Sequence, residues 1–210
     1  VRFKTYYWNY EETDDHELFI HVGGRTEDEK SVHCVIKGFT PFVYLQLPKR
    51  IKWNKAKCIA VFEYLKKVMK SEGPQNYWLL KKYLLKHKKL CNTMCLTFPT
   101  NKAAYALSRK CSAKNGMVID GVGTFKQDEF LVHEQNIDPI LKFTASKKLN
   151  LASWVEVKET IPEDEMGLSI EDRKFTTADI DLQADWTDVE AYTPKEIVIV
   201  RPKYLSFDIE

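Results

Sequence analysis

The sequence lacks the features that mark membrane-spanning, secreted and disulfide-rich proteins. No apolar run approaches the ~20 residues that a membrane-spanning helix needs, and the first residues do not form a signal peptide. The five cysteines include no C-x-x-C pair, which predicts reduced, intracellular and mostly buried thiols. Cys91 and Cys95 have the spacing of half a metal site, but no second pair completes it. The chain also lacks an initiator methionine, so we expect it to be trimmed at its front.

The composition is typical of a globular protein, with 44% hydrophobic and 30% charged residues in a chain of 210. This length suits one large domain or two small ones and is sufficient to bury a core. The net charge of +2 conceals an asymmetry, because residues 49–89 carry a net charge of +11 and residues 156–196 carry −9. The basic segment predicts a polyanionic partner such as nucleic acid. The alternative is that both segments are solvated faces that attract each other.

The pattern of short β-rich segments and helical segments predicts an α+β fold. Phe3–Tyr10, Glu17–Gly24, Ser31–Gly38 and Phe39–Pro48 are separated by turns and predict an antiparallel meander. Helical spacing predicts helices after Asn54, over Tyr77–Lys88 and from Thr100 or Asn101 to Cys111, with a strand over Asn92–Pro99.

The rest of the chain predicts a helix over Ile137–Lys148, with Pro139 in its first turn, and a strand over Leu151–Glu159. Pro162–Tyr192 is acidic and predicts a long surface loop with one strand. Strong β character resumes after Glu196.

The last seven residues, YLSFDIE, form an apolar strand that ends in two carboxylates. Residues i and i+2 of a strand face the same way, so Asp208 and Glu210 share one face. Two carboxylates at this spacing suit a two-metal site, and their hard oxygen ligands favour Mg²⁺ or Mn²⁺. The motif D-x-E is weak by itself, and its simplest interpretation is a solvent-facing strand end.

The ending YLSFDIE resembles the first exonuclease motif of family B DNA polymerases, in which a strand ends in F-D-I-E. EQNIDPILKFTASKKLNLASWVEV resembles a stretch of polymerase delta-like members, and FTPFVYLQLP resembles a strand of their N-terminal domains. The order and spacing of these pieces also resemble the family, in particular a mimivirus-like enzyme of a large DNA virus. The basic helical section and the acidic loop have no match in this resemblance.

The resemblance implies an N-terminal domain over 1–150, a strand and acidic connection over 151–195, and a truncated RNase H-like exonuclease domain from 196 to 210. It also implies that Asp208 and Glu210 are metal ligands of a 3′→5′ proofreading exonuclease. The other exonuclease acids and the polymerase motifs of the family are missing, so we expect this piece to be inactive and to bind no Mg²⁺ or Mn²⁺ by itself. The implied partners are primer–template DNA, single-stranded template, the remainder of the polymerase chain and a processivity factor, without a membrane. The implied location is the host cytoplasm for a viral enzyme and the nucleus for a cellular one.

Apart from catalysis, the basic surface is expected to follow the phosphates of single-stranded DNA, while Trp53, Tyr77 or Trp78 stack on bases. The simplest alternative places these aromatic residues in the core. The cations that we predict to contact DNA are Lys81, Lys82, Lys86, Lys88, Lys89, Arg109 and Lys110. Two other functions stay open, a non-enzymatic single-strand-binding module and a free-standing DEDD-type nuclease that takes further acids from Asp179, Asp181 and Asp185.

Overall fold

The computed structural model describes residues 1–15, 17–84, 90–158, 176–196 and 198–200. These residues fall into a first unit, made of 1–11, 19–39 and the described part from 140 onward, and a second unit, made of 12–18 and 40–139. The domain boundaries that the sequence suggested stay predictions.

The strands are β1 Arg2–Glu12, β2 Leu18–Arg25, β3 Ser31–Lys37, β4 Phe42–Gln46, β5 Asn76–Tyr83, β6 Leu90–Thr97, β7 Met117–Ile119, β8 Gly123–Phe125, β9 Leu131–His133, β10 Trp154–Val157, β11 Ile180–Asp185 and β12 Val189–Ala191. The helices are α1 Lys55–Met69, α2 Asn101–Cys111 and α3 Pro139–Lys147, with short 3-10 helices at Lys70–Glu72 and Trp186–Asp188.

The first unit is built on a six-stranded sheet with the order β11-β3-β2-β1-β10-β12. β11 lies parallel to β3, whereas β2 and β3 are antiparallel, as are β1 and β10. His33 links the neighbouring strands, since its ring contacts His21 of β2 at 3.2 Å and Asp181 of β11 at 3.2 Å. Phe143 of α3 is fully buried and packs edge-to-face on Phe39.

The second unit is a four-stranded antiparallel sheet with the order β5-β6-β4-β9 and both α1 and α2 packed on one face. Its chain order, β4-α1-β5-β6-α2-β9, is that of a split βαβ fold. Leu45, Met94 and Leu96 of the sheet pack in one core with the residues of both helices and are at most 1% exposed. A small hairpin of β7 and β8 extends this core with Met117, Ile119 and Phe125.

The helices and most strands lie where the sequence predicts them. Asn54 caps α1 by accepting a hydrogen bond from Lys57 N, and Thr100 caps α2 through Ala103 N. Pro139 begins α3, and Trp154 begins β10. The α+β class is therefore confirmed. All five cysteines are buried and none forms a disulfide, as the sequence predicts, and burial raises the pKa of Cys34 and of Cys111 to about 12.

The helix predicted over Tyr77–Lys88 is wrong in its described part, since residues 76–83 form β5. This segment pairs with β6 along all eight positions from Asn76 to Tyr83, so tertiary pairing overrides its helical spacing. Trp78 is 55% exposed, whereas Leu84 is buried. Residues 85–89 lie outside the described part of the chain.

Two further strand predictions need correction. The first four β segments do not form a single meander, because β4 belongs to the sheet of the second unit and β1 to β3 belong to the other. The acidic segment contributes two described strands rather than one, β11 and β12. Its first part, residues 162–175, and the predicted final strand with Asp208 and Glu210 lie outside the described residues.

Substitution of Gly116 by alanine should strongly destabilise the second unit. Gly116 has a φ of 64°, and a Cβ there would overlap the carbonyl oxygen of Phe125. Gly121 is a matched control, because its φ is 72° but nothing lies within 4 Å of a Cβ. We expect Gly121→Ala to cost about 1–2 kcal/mol and Gly116→Ala about 3 kcal/mol or more in the free energy of unfolding measured with urea. Equal losses would show that the contact with Phe125 relaxes freely.

Candidate nucleic-acid interface

One face of α2 combines positive charge with an exposed aromatic ring. Lys102, Tyr105 and Arg109 follow each other at spacings of three and four residues, which places them along one side of the helix. Both cations are exposed, and Tyr105 is 47% exposed. The three residues span about 10 Å along the helix axis. We call this set the α2 stripe.

The opposite face of α2 fixes the direction of the stripe. Ala103, Ala104 and Leu107 are fully buried in the core of the second unit, and Cys111 is 2% exposed. The helix contains no Asp or Glu, so no carboxylate of α2 itself neutralises the stripe. Because these residues face the core, the side chains of the α2 stripe face away from it.

Cations at the end of α2 also have a structural role. Arg109 and Lys110 lie in the last turn, where the interaction of positive charge with the helix dipole stabilises the helix by about 0.3–1 kcal/mol. This role does not require Lys102 or Tyr105, which lie in the first half of the helix. The sequence interpretation included Arg109 and Lys110 but missed Tyr105, although helical spacing from Lys102 and Arg109 would have identified it.

The other described cations of the predicted set lie on β5 and do not form one patch. Lys81 and Lys82 are consecutive residues of a strand, so their side chains point to opposite faces of the sheet. Lys81 and Lys82 are therefore not part of the α2 stripe. Lys86, Lys88 and Lys89 lie outside the described residues.

Lys82 is engaged by other side chains of the second unit. Its Nζ lies 2.8 Å from Glu134 Oε1 and 3.3 Å from the centre of the Tyr44 ring. Burial by itself lowers the pKa of Lys82, but hydrogen bonding to Glu134 and the contact with Tyr44 outweigh burial and raise the pKa above its ordinary value. Lys82 is therefore less available to a phosphate than an exposed lysine.

The predicted stacking residues differ in their surroundings. Trp53 donates from Nε1 to the carbonyl oxygen of Pro48 at 2.8 Å and stacks on Phe125, so it belongs to the edge of the core. Tyr77 packs against Phe62 of α1, with ring centres 4.9 Å apart. Trp78 is the exposed member of the predicted three.

The acids proposed for a free-standing nuclease serve as hydrogen-bond acceptors in the first unit. Asp179 accepts from Ser31, and Asp181 accepts from Thr176 while lying beside His33. Asp185 accepts from Thr187. Within the described ranges, no group of three or more His, Cys, Asp or Glu side chains is arranged to hold a metal ion. Nor does any helix in those ranges have the length and apolar character to cross a membrane.

Comparison with known proteins places the chain among viral relatives. It is 28% identical over its whole length to DNA polymerase 120R of Invertebrate iridescent virus 3, and 26% identical over 97% of its length to the DNA polymerase of Acanthamoeba polyphaga mimivirus. DNA polymerase 037L of Invertebrate iridescent virus 6 is 26% identical over 91% of the chain. The chain spans 12–19% of the lengths of these relatives. No protein-family model matches it.

The fold has a solved counterpart in the family B DNA polymerase of Pyrobaculum calidifontis. The TM-score is 0.58 and the identity 14%, with 93% of this chain and 21% of the polymerase covered. The resemblance to viral DNA polymerases that the sequence suggested is therefore confirmed, and the fold is that of part of a family B DNA polymerase.

The pair of Arg50 and Glu129 gives a test of the electrostatics of this unit. The Arg50 guanidinium donates to both carboxylate oxygens of Glu129 at 2.8 Å, and with Lys126 N it lowers the pKa of Glu129 to about 2. A carboxylate with a lowered pKa stabilises the fold above its ordinary pKa near 4.3, and this stability is lost as the pH falls towards 2. We expect Arg50→Gln to raise the pKa of Glu129 in an NMR titration and to reduce the loss of thermal stability below about pH 4. Lys49→Gln is the control, and an unchanged Glu129 titration in Arg50→Gln would contradict the assignment.

Proposed function

Since the chain is similar to viral DNA polymerases and its fold matches part of a family B DNA polymerase, we propose that it forms part of a replicative DNA-directed DNA polymerase with a 3′→5′ proofreading exonuclease. The similarity over the whole chain to a polymerase much longer than itself carries this proposal. In this proposal residues 1–150 form the N-terminal domain, 151–195 the connection, and 196–210 the start of the exonuclease domain. The enzyme acts inside the infected cell, in the cytoplasm for a virus that replicates there.

Asp208 and Glu210 are the proposed metal ligands. Both are hard oxygen donors, which fit Mg²⁺ or Mn²⁺, and the i, i+2 spacing suits ligands of one site. In a two-metal exonuclease the ions activate water and stabilise the phosphoryl transition state. Further acids must come from other parts of the polymerase, because Asp179, Asp181 and Asp185 are used within the first unit.

The second unit itself is proposed to contact single-stranded template through the α2 stripe. Lys102 and Arg109 bind phosphates, and Tyr105 offers an exposed ring on which a base can stack. Base stacking is tolerant of sequence, so the contact suits a template of any sequence. The remainder of the polymerase chain and a processivity factor are the proposed protein partners.

A non-enzymatic single-strand-binding module is the second candidate. The exposed cations and aromatic ring of the α2 stripe would favour it if Asp208 and Glu210 were incidental. Both candidates include the DNA contact. They differ in whether further exonuclease acids and polymerase motifs belong to the same protein as Asp208 and Glu210.

The continuation of the reading frame and a nuclease assay separate these candidates. We expect residues beyond Glu210 to supply the remaining exonuclease acids and the polymerase motifs, and we expect the 210-residue chain to leave labelled single-stranded DNA intact in Mg²⁺. A frame without those motifs would exclude the polymerase. Cleavage that Asp208→Ala abolishes would instead identify a nuclease that is complete within this chain.

Binding of an oligo(dT) probe, measured by fluorescence anisotropy at several salt concentrations, tests the α2 stripe. We expect the double variant Lys102→Gln/Arg109→Gln to make the negative slope of log affinity against log salt less steep by about 1.4. Each lost phosphate contact removes about 0.7 from the steepness for a single strand. Tyr105→Ala should weaken binding about tenfold with the salt slope unchanged.

Lys67→Gln is the matched control, because Lys67 is an exposed cation in the last turn of α1. We expect it to have almost no effect. If the stripe variants bind as well as the unmodified chain, the α2 stripe is not the contact. A loss of affinity on charge reversal of Lys81, Lys82 and Lys86 would then assign the contact to the basic segment that the sequence predicted.

A further inference from the structure

The outer strand of the four-stranded sheet carries an unusually apolar edge. β5 is eight residues long, and within the described residues no strand pairs with its outer side. Trp78, Leu79 and Tyr83 are 55%, 47% and 66% exposed. Edge strands present unpaired N–H and C=O groups, and natural proteins usually protect them with proline, charge or a bulge. Here Lys81 and Lys82 are the charged residues on a strand that contains no proline.

A groove of about 340 Å³ adjoins this edge, next to the beginning of α1. Its charged lining residues are Lys55 and Lys81, and no carboxylate lines it. Trp53 forms a fixed wall, because its indole N–H is bonded to the carbonyl oxygen of Pro48. The other lining residues are Leu47, Asn54, Cys58, Leu79, Leu80, Asn92 and Thr93. The groove therefore suits a ligand that carries both apolar side chains and carboxylates.

We propose that the edge of β5 binds an extended acidic and apolar segment of a partner protein, which adds a fifth strand to the sheet. Backbone groups of the segment continue the hydrogen-bond ladder, and this gives affinity without requiring one sequence. On the helix side of the sheet its apolar side chains lie beside Leu79, and its carboxylates lie beside Lys81 and Lys55. The surface is distinct in residues from the α2 stripe, and the proposal does not depend on polymerase activity.

Other occupants fit the edge less well. A nucleic acid has no peptide groups with which to continue the ladder, and the lining is largely apolar. A second copy of this chain would present its own β5, which carries Lys81 and Lys82 and no carboxylate, so it offers no negative charge to the two lysines of the groove. Charge therefore favours an acidic partner.

The test uses fluorescent, end-blocked peptides of about eight residues with the repeat Val-Thr-Glu-Thr, titrated with the 210-residue chain. Valine and glutamate then alternate along one face of the extended peptide and can lie beside Leu79 and Lys81 together, whereas threonine occupies the other face. Two further peptides carry N-methyl groups on alternate amides, one at the odd-numbered residues and the other at the even-numbered residues. An added strand directs every second N–H to its neighbour, so one register of methylation should abolish binding and the other should be tolerated. Leu79→Ser should weaken binding about tenfold, and Lys81→Gln should weaken it and reduce its salt dependence.

The controls are Val118→Ser, which changes another exposed apolar strand residue, and Lys67→Gln, and we expect neither to alter binding. No saturable binding, equal effects of the two methylation registers, or unchanged affinity in Leu79→Ser would overturn the proposal. Competition by oligo(dT) would reassign the edge to nucleic acid. Self-association in sedimentation experiments that Leu79→Ser removes would reassign it to a second copy.

Discussion

Burial of one face of β6 is the constraint on which the arrangement of the second unit depends. Met94 and Leu96 are fully buried beneath the helices, and burial of such side chains contributes about 1.5–3 kcal/mol each. Because both helices pack against this face, the polar face of α2 must point away from the sheet. β6 pairs with β4 on one side and with β5 on the other. Among the described strands β5 has no second neighbour, so it lies at the edge of the sheet. The proposed DNA contact and the proposed docking edge therefore both follow from the position of one strand.

Local sequence signals predict the elements that have local causes. Asn54, Thr100 and Pro139 mark the beginnings of the three helices, because caps and a first-turn proline act within a few residues. The segment 76–83 was misassigned because its apolar residues fit helical spacing as well as strand spacing, and its pairing with β6 decides between them. The parallel pairing of β11 with β3 joins residues almost 150 positions apart, and no local pattern indicates it. Tyr105 lies outside the basic segment 49–89, so a run of charge does not indicate it, whereas helical spacing from Lys102 does.

A run of positive charge in the sequence becomes several different surfaces in the fold. Arg50 and Lys82 belong to the segment with a net charge of +11, but each is paired with a carboxylate from later in the chain, Glu129 and Glu134. Lys55 and Lys81 line an apolar groove. The charge that faces away from the core on α2 comes from outside the basic segment. The charge asymmetry of the sequence therefore does not indicate which surface of the fold would bind a polyanion.

The interrupted first unit affects the order in which the chain can fold. Residues 40–139 supply most of the second unit as one continuous stretch, whereas the first sheet needs β10 against β1 and β11 against β3. Distant strands must await synthesis and then pay the entropy of closing a long loop. During translation the second unit can therefore complete its core while β1, β2 and β3 still lack their partners. The N-terminal strands are made first but are among the last to acquire their full set of neighbours, and until then β1 lacks β10 and β3 lacks β11 as a partner.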